Sequence, residues 1–284
     1  MEILQYDFMR RALLAGVLIG LVCPLVGLFV TLRRMSMIAD ALSHVCLSGV
    51  AAGLLAGVNP VLSASAFALA GALLMEKLRG HFANYSELSI AVVLSTGVAL
   101  GAVLLSLGSG LNANFMSYLF GSIIAVSQTD IYIIVAIGLL VLGAVIILYK
   151  ELFYISFDEE GARVADIPVN VISTIFTALA ALTIAVAIRI VGILLVSSLM
   201  ILPVAASLQL AGSFKKSLWI AMFLSETAVV VGLVLSYYLN IAPGGSIILT
   251  SVFMLVSVLV YKSKDRIYER AGEMERENTL AKGQ

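Results

Sequence analysis

Runs of about twenty apolar residues recur along almost the whole chain, and nothing else constrains its fold as strongly. In hydrocarbon an unpaired peptide group is so costly that a spanning segment must close its hydrogen bonds within itself. A helix of roughly 20 residues does this across a core of about 30 Å. Bounded by charge or by Pro/Gly punctuation, the runs predict helices at about 11–31, 35–57, 60–79, 88–107, 131–149, 171–188, 190–210, 217–239 and 244–261. Composition supports the reading: 61% of the 284 residues are hydrophobic and 12% charged, and the mean hydropathy is +1.10. Soluble domains carry roughly a quarter charged residues. The expected fold class is all-α, a polytopic transmembrane helical bundle of about nine spans, with eight to ten as the range. Residues 1–262 form one membrane domain and 263–284 a charged cytosolic tail.

Basic residues orient the bundle, because cytoplasmic loops hold an excess of Lys and Arg. With the N-terminus outside and nine spans, fourteen of the seventeen basic residues fall inside, and Arg10, Arg11 and Arg189 fall outside. The opposite orientation inverts the ratio, so the C-terminus is expected in the cytosol. The first run is too long for a signal-peptide core and no small-residue cleavage pattern follows it, so it reads as a span. Residues 111–128 are apolar but interrupted by Asn112, Asn114, Gly121 and Gln128, as in a re-entrant or interfacial segment. Cys23 and Cys46 lie within apolar runs and read as small buried hydrophobes. No basic stripe with interleaved aromatics points to nucleic acid.

Ionisable groups inside a membrane are costly and mark function. Asp40 and Glu226 stand out as acids well within a predicted helix, and His44 as the histidine that does. Asp40 and His44 are four apart, on one helix face. Counted from Arg34 at 1.5 Å per residue, they lie about 9 and 15 Å inward, where transporters place substrate sites. A carboxylate with an imidazole suits zinc or manganese, but two ligands do not close a metal site. Water, Ser43, Glu226 or a second copy of the chain would supply the rest. The bland alternative is a His44–Asp40 hydrogen bond that only packs helices. Glu226 reads more naturally as protonated and hydrogen-bonded between helices. Glu87 reads as an acid at a helix N-terminus, and His81 as a solvated loop residue.

Two cytosolic segments could dock on a soluble partner. One is the acidic, amphipathic stretch Ser156–Pro168. In the other, Pro203 is expected to break a helix, with a short small-residue helix through Ala205, Ala206 and Ser207 towards Gly212 and Lys215. The chain has no Gly-x-x-x-x-Gly-Lys-Ser/Thr phosphate loop and no His-Glu-x-x-His. It is therefore not expected to hydrolyse ATP or to be a metalloenzyme, although an intramembrane metal enzyme, a secondary carrier or a purely structural membrane protein are the rival classes.

The segment Arg33-Arg34-Met35-Ser36-Met37-Ile38-Ala39-Asp40-Ala41-Leu42-Ser43-His44 resembles the Gly-Asp-Ala-Leu-Ser-His-Ala pattern of the permease subunits of bacterial metal-importing ABC transporters. Ala39 replaces its Gly and Val45 its last Ala, and Leu47-Ser48-Gly49-Val50 is similar to the family's Leu-Pro-Gly-Val. Tyr118-Leu119-Phe120-Gly121, Phe157-Asp158, and Val191–Val196 leading to Ile201-Leu202-Pro203 also match, so the resemblance runs over about residues 8–262. It implies a cell-membrane homodimer around a central path, two cytosolic ATP-binding subunits and an extracytoplasmic metal-binding protein. It implies metal contact by Asp40 and His44, and an ATPase-coupling helix after Pro203. The transported ion would be zinc, favoured by Arg33–Ser36 and Tyr118–Gly121, with manganese or iron as alternatives. No permanently bound cofactor is expected.

Overall fold

The computed structural model describes residues 5–82, 85–108 and 112–282, with side chains for all of these except 86, 112–114 and those after 263. Twelve helices and no strands are found among the described residues: α1 (Asp7–Leu32), α2 (Met37–Ala56), α3 (Pro60–His81), α4 (Ser86–Leu107), α5 (Asn112–Phe120), α6 (Gln128–Ile147), α7 (Tyr149–Phe157), α8 (Glu159–Val164), α9 (Val169–Val191), α10 (Val196–Leu210), α11 (Phe214–Leu239) and α12 (Pro243–Lys282). Their ends follow local rules. Pro60 fills the first position of α3, where its missing N–H costs nothing, and Asn59 caps it by accepting from the amides of Val61 and Leu62. Ser127 and Asp130 form a capping box on α6. Gly57 (φ 66°) closes α2 in the left-handed region that glycine reaches without strain.

Contacts between helix ends show which ends lie together. On one face Arg189 meets Asp130 and Asn59 meets Asp130. On the other, Arg33 reaches Ser173, Thr177 reaches Glu76, and Lys262 reaches the Gln209 carbonyl. Traced between these faces, the described chain crosses nine times: α1, α2, α3, α4, α6, α9, α10, α11 and α12. The second face also holds Arg79 and Arg163, so it is the cytosolic one, and the chain starts outside and ends inside. Arg10 on the outer side is paired with Asp7 at the start of α1.

Eight of the crossings are long and apolar enough to span alone. The ninth corrects the expected span 190–210. Its helix, α10, has 15 residues, about 22 Å of rise. The chain turns at 192–195 before it begins, because Gly192 (φ 90°) leaves the helical region. The turn's backbone groups are satisfied by protein: Ile193 donates to the Tyr118 carbonyl at 2.9 Å, and Ser122 to the Arg189 carbonyl at 3.3 Å. Irregular backbone at membrane depth is tolerated where protein covers it. Residues 112–128 of the expected 111–128 segment supply that cover, as α5 and a turn at Gly121 (φ 77°), and residue 111 lies outside the described residues. A side chain at Gly121 or Gly192 would collide with the other strand's backbone.

The core lies where α1, α9 and α10 meet, around Phe29, Phe176, Ile184, Ile188 and Leu199, all essentially inaccessible. Cys23 and Cys46 are buried and free. α12 runs unbroken to Lys282, so the backbone of the charged tail prolongs the last span. Residues 283–284 of the expected tail lie outside the described residues.

Candidate functional site

The site is built on α2. The chain closes α1 with Arg34 in the left-handed region (φ 57°) and Met35 bonded back to the Val30 carbonyl. The next helix therefore starts at Met37, three residues later than Arg34. Asp40 is in its first turn. His44 then lies about 10 Å along a helix of about 30 Å, nearer the cytosolic end than the midplane depth expected from the sequence.

α2 packs on α3 and α4 along its length, and on α9, α10 and α5 elsewhere. Small residues permit the approach. Gly97 of α4 sits so close that an added Cβ would be 2.8 Å from the Val45 amide nitrogen and 3.0 Å from the His44 carbonyl carbon. Ser48 donates to the Gly97 carbonyl at 2.6 Å. On the other side Gly49 meets the backbone of Ala64, and Gly71 of α3 meets Val45. The histidine is thus held in register by backbone contacts above, below and beside it.

Asp40 and His44 are both half-buried on one face of α2. Neither takes part in a hydrogen bond or ion pair among the described residues, and His44 Nδ1 is buried without a partner. A buried polar atom without a partner is costly, and the packing bond between the two side chains, the alternative to a metal site, is not there to satisfy it. Ser43 is turned away: it is buried and donates to the Ala39 carbonyl at 2.7 Å. No group of three or more His, Cys, Asp and Glu gathers among the described residues. One chain therefore offers an aspartate and a histidine, with open positions for an ion.

The other acids fall elsewhere. Glu226 on α11 lies against α1, its Oε1 where a Cβ on Gly20 would be 2.9 Å away, and α11 packs on α1, α10 and α12. It does not join Asp40 and His44 in a three-residue group, and the interhelical hydrogen bond expected for it is missing, since Oε1 is buried and unpartnered. Glu87 is exposed in the first turn of α4. His81 is exposed and contacts the Lys77 carbonyl.

The docking segments come out differently from expectation. Pro203 does not break a helix: α10 continues through it to Leu210. Pro203, Ala206 and Ser207 are buried and Ala205 is half-buried; Gly212 and Lys215 are exposed. Neighbouring helices hold α10 together across the missing N–H, so no separate surface helix follows the proline. The exposed segment is instead α7–α8, where Phe157 is 61% and Val164 86% exposed. Rings of Tyr149, Phe153 and Phe157 on α7 pack round Phe214, which in turn touches Phe29 of α1.

One polar centre had no signal in the sequence. Asp130 is 3% exposed and accepts from Arg189 Nε at 3.0 Å. Arg189 also donates to the Ala125 carbonyl and lies over the Tyr118 ring, 4.6 Å from its centre. This pair ties α6, α9 and the α5 turn together under the outer surface. Glu76, inside the predicted span 60–79, is likewise a paired inner-end acid, bonded by Arg79 and Thr177.

A membrane bundle that carries an unpaired carboxylate and imidazole on one face of a spanning helix has the chemistry of a cation permease. Residues 5–262 match the family model described as ABC 3 transport family. A "Probable metal transport system membrane protein" of Treponema pallidum is 42% identical, over 90% of this chain and 96% of that protein. The "Manganese import system permease protein ScaB" of Streptococcus gordonii is 32% identical (94% and 95% covered). The "High-affinity zinc uptake system membrane protein ZnuB" of Haemophilus influenzae is 30% identical (92% and 100%). The solved structure "PsaBC from Streptococcus pneumoniae in complex with Fab" superposes with a TM-score of 0.81 at 31% identity, covering 90% of this chain and 92% of that one. The chain belongs to the ABC 3 transport family, as a multi-pass permease subunit of metal ABC importers and not an enzyme.

Proposed function

We propose that this permease imports zinc, holding the ion in passage between Asp40 and His44 of two copies of the chain. The observation that carries the reading is the half-buried pair on α2, with an unpartnered imidazole nitrogen and no third ligand nearby. Two copies facing across a two-fold axis would bring two carboxylates and two imidazoles, four ligands, the number zinc takes. Manganese prefers six, mostly oxygen. Manganese is the second reading, favoured by the names of relatives such as ScaB. Ion release needs a site that can be weakened, and because each chain's half of the cage is incomplete by itself, parting the two copies meets that need.

ATP hydrolysis belongs to separate cytosolic subunits, which we place on α7–α8, because that segment is exposed and linked by rings to α1 and α11. An extracytoplasmic binding protein would deliver the ion. The test is uptake of radioactive zinc into cells lacking their own importer, with this chain and its partner genes restored. Zinc uptake that excess manganese does not compete away, and that Asp40→Ala or His44→Ala abolishes at normal protein levels, supports the reading. Uptake of manganese alone replaces the ion. Zinc uptake unaffected by both substitutions removes the site.

A further inference from the structure

A basic cleft at the cytosolic end of α1 includes neither Asp40 nor His44 in its lining. Its cavity of about 240 Å³ is lined by Arg33, Arg34 and Arg79, by the apolar side chains of Leu32, Met35 and Phe157, and by the acid Glu159. A larger cavity of about 660 Å³ shares Arg79 and Glu159 and adds Lys77, His81, Arg163 and Glu76. The two acids are already engaged. Glu76 binds Arg79 at 2.9 Å and accepts from Thr177, and Glu159 binds Arg163 at 2.9 Å.

Arg33 is left without a carboxylate. Its Nη2 donates to Ser173 at 2.8 Å and its guanidinium lies 5.7 Å from the centre of the Phe176 ring, but Nη1 is buried with no partner. Burial first, and the nearby Arg79 guanidinium second, hold its pKa below the ordinary arginine value. Arg34 makes no ion pair among the described residues, and its backbone sits in the left-handed region at φ 57°, a conformation costly for a residue with a Cβ. Arg33 and Arg34, neither of them ion-paired, therefore converge with the Glu76-paired Arg79 at the level where the membrane domain meets the cytosol, and basic side chains outnumber acidic ones in the cleft lining.

We propose that this cleft binds a phosphate-bearing anion at the inner membrane surface, either the headgroup of an anionic lipid or free phosphate. Guanidinium forks match phosphate oxygens, and basic pockets on the cytoplasmic side of membrane helices suit lipid headgroups. The apolar walls at Leu32 and Met35 give a lipid's glycerol end a surface that free phosphate would not use. The site is independent of which metal is carried.

The experiment uses the purified full-length chain in a zwitterionic detergent. Its unfolding is followed by a thiol-reactive dye on the buried Cys23 and Cys46, against added phosphatidylglycerol, phosphatidylcholine or inorganic phosphate. Phosphatidylglycerol raises the unfolding midpoint and phosphatidylcholine does not. Removing one basic residue weakens the phosphatidylglycerol effect about fivefold. Arg33→Gln tests the buried fork. Arg34→Gly is the variant that keeps the fold, since glycine accepts φ 57° more easily than arginine does. Protection by inorganic phosphate that competes with the lipid supports the site with free phosphate as its source. Equal protection by phosphatidylcholine, no protection by either anion, or unchanged lipid binding in the Arg34→Gly chain overturns the proposal.

Discussion

Replacing Arg189 with Leu should destabilise the protein by about 3–5 kcal/mol, the usual cost of stranding one member of a buried ion pair. The side chains of Arg189 and Asp130 are 11% and 4% exposed, so little water reaches the carboxylate left behind. Asp130 keeps only the Ser127 amide at 3.0 Å and a long contact from Asn59 at 3.4 Å. Asp130→Asn should cost a similar amount for the converse reason, a buried guanidinium facing a neutral amide. The double variant Asp130→Asn with Arg189→Leu should be no worse than either single one, because each removal relieves the charge that the other strands. Thiol-dye melts, read through Cys23 and Cys46, would show single-variant midpoints lower by on the order of 10 °C. Single effects below about 1 kcal/mol, or a double effect equal to their sum, would show that the pair does not hold the outer turn.

Gly97→Ala should impair metal uptake more than it lowers the yield of folded protein, since the new Cβ meets backbone at His44–Val45 that cannot rotate away; an accumulation assay scaled to membrane protein checks it. Pro203→Ala should leave uptake within about twofold and the melting midpoint unchanged or raised, because it restores a helical N–H inside α10. Val164→Glu on α8 should abolish co-purification of the ATPase while leaving the melt of the isolated chain unchanged, as an 86% exposed residue allows. Glu226→Gln should leave metal uptake intact, since the carboxyl lies against α1 and not in a group with Asp40 and His44; a loss of uptake at normal protein levels would contradict that placement.

The spans were legible because lipid imposes length and apolarity that a reader can count. What escaped notice obeys protein contacts instead. The turn at 192–195 is as apolar as a helix, since Tyr118 and Leu119 carbonyls, not water, receive its amides. Asp130 sits three residues after Ser127 at the start of α6, where an acid needs no special explanation, and Arg189 sits between two apolar runs as a loop residue would. Only the third dimension puts the two together. Pro203 signals a break in an isolated helix, but α10 is enclosed by α1, α11 and α12, so packing overrides the signal. The Asp40–His44 spacing was legible because a helix makes i and i+4 neighbours. Its depth was not, because the left-handed closure at Arg34 delays the start of α2.

The geometry of α2 resolves a tension in any metal path. A site that must release its ion cannot be complete, yet an incomplete site selects nothing unless its ligands are fixed. The ligands proposed here are few and the helix that carries them is held at short range: Gly97 against the His44–Val45 backbone, Ser48 on the Gly97 carbonyl, Gly49 against Ala64. Rigidity thus resides in small-residue contacts on the sides of α2 turned towards α3 and α4. The face carrying Asp40 and His44 stays half-open and unpaired. Affinity would then be set by how closely a second copy brings its own pair, a distance between two rigidly held helices. Such a device can bind and release the ion without any ligand leaving its rotamer.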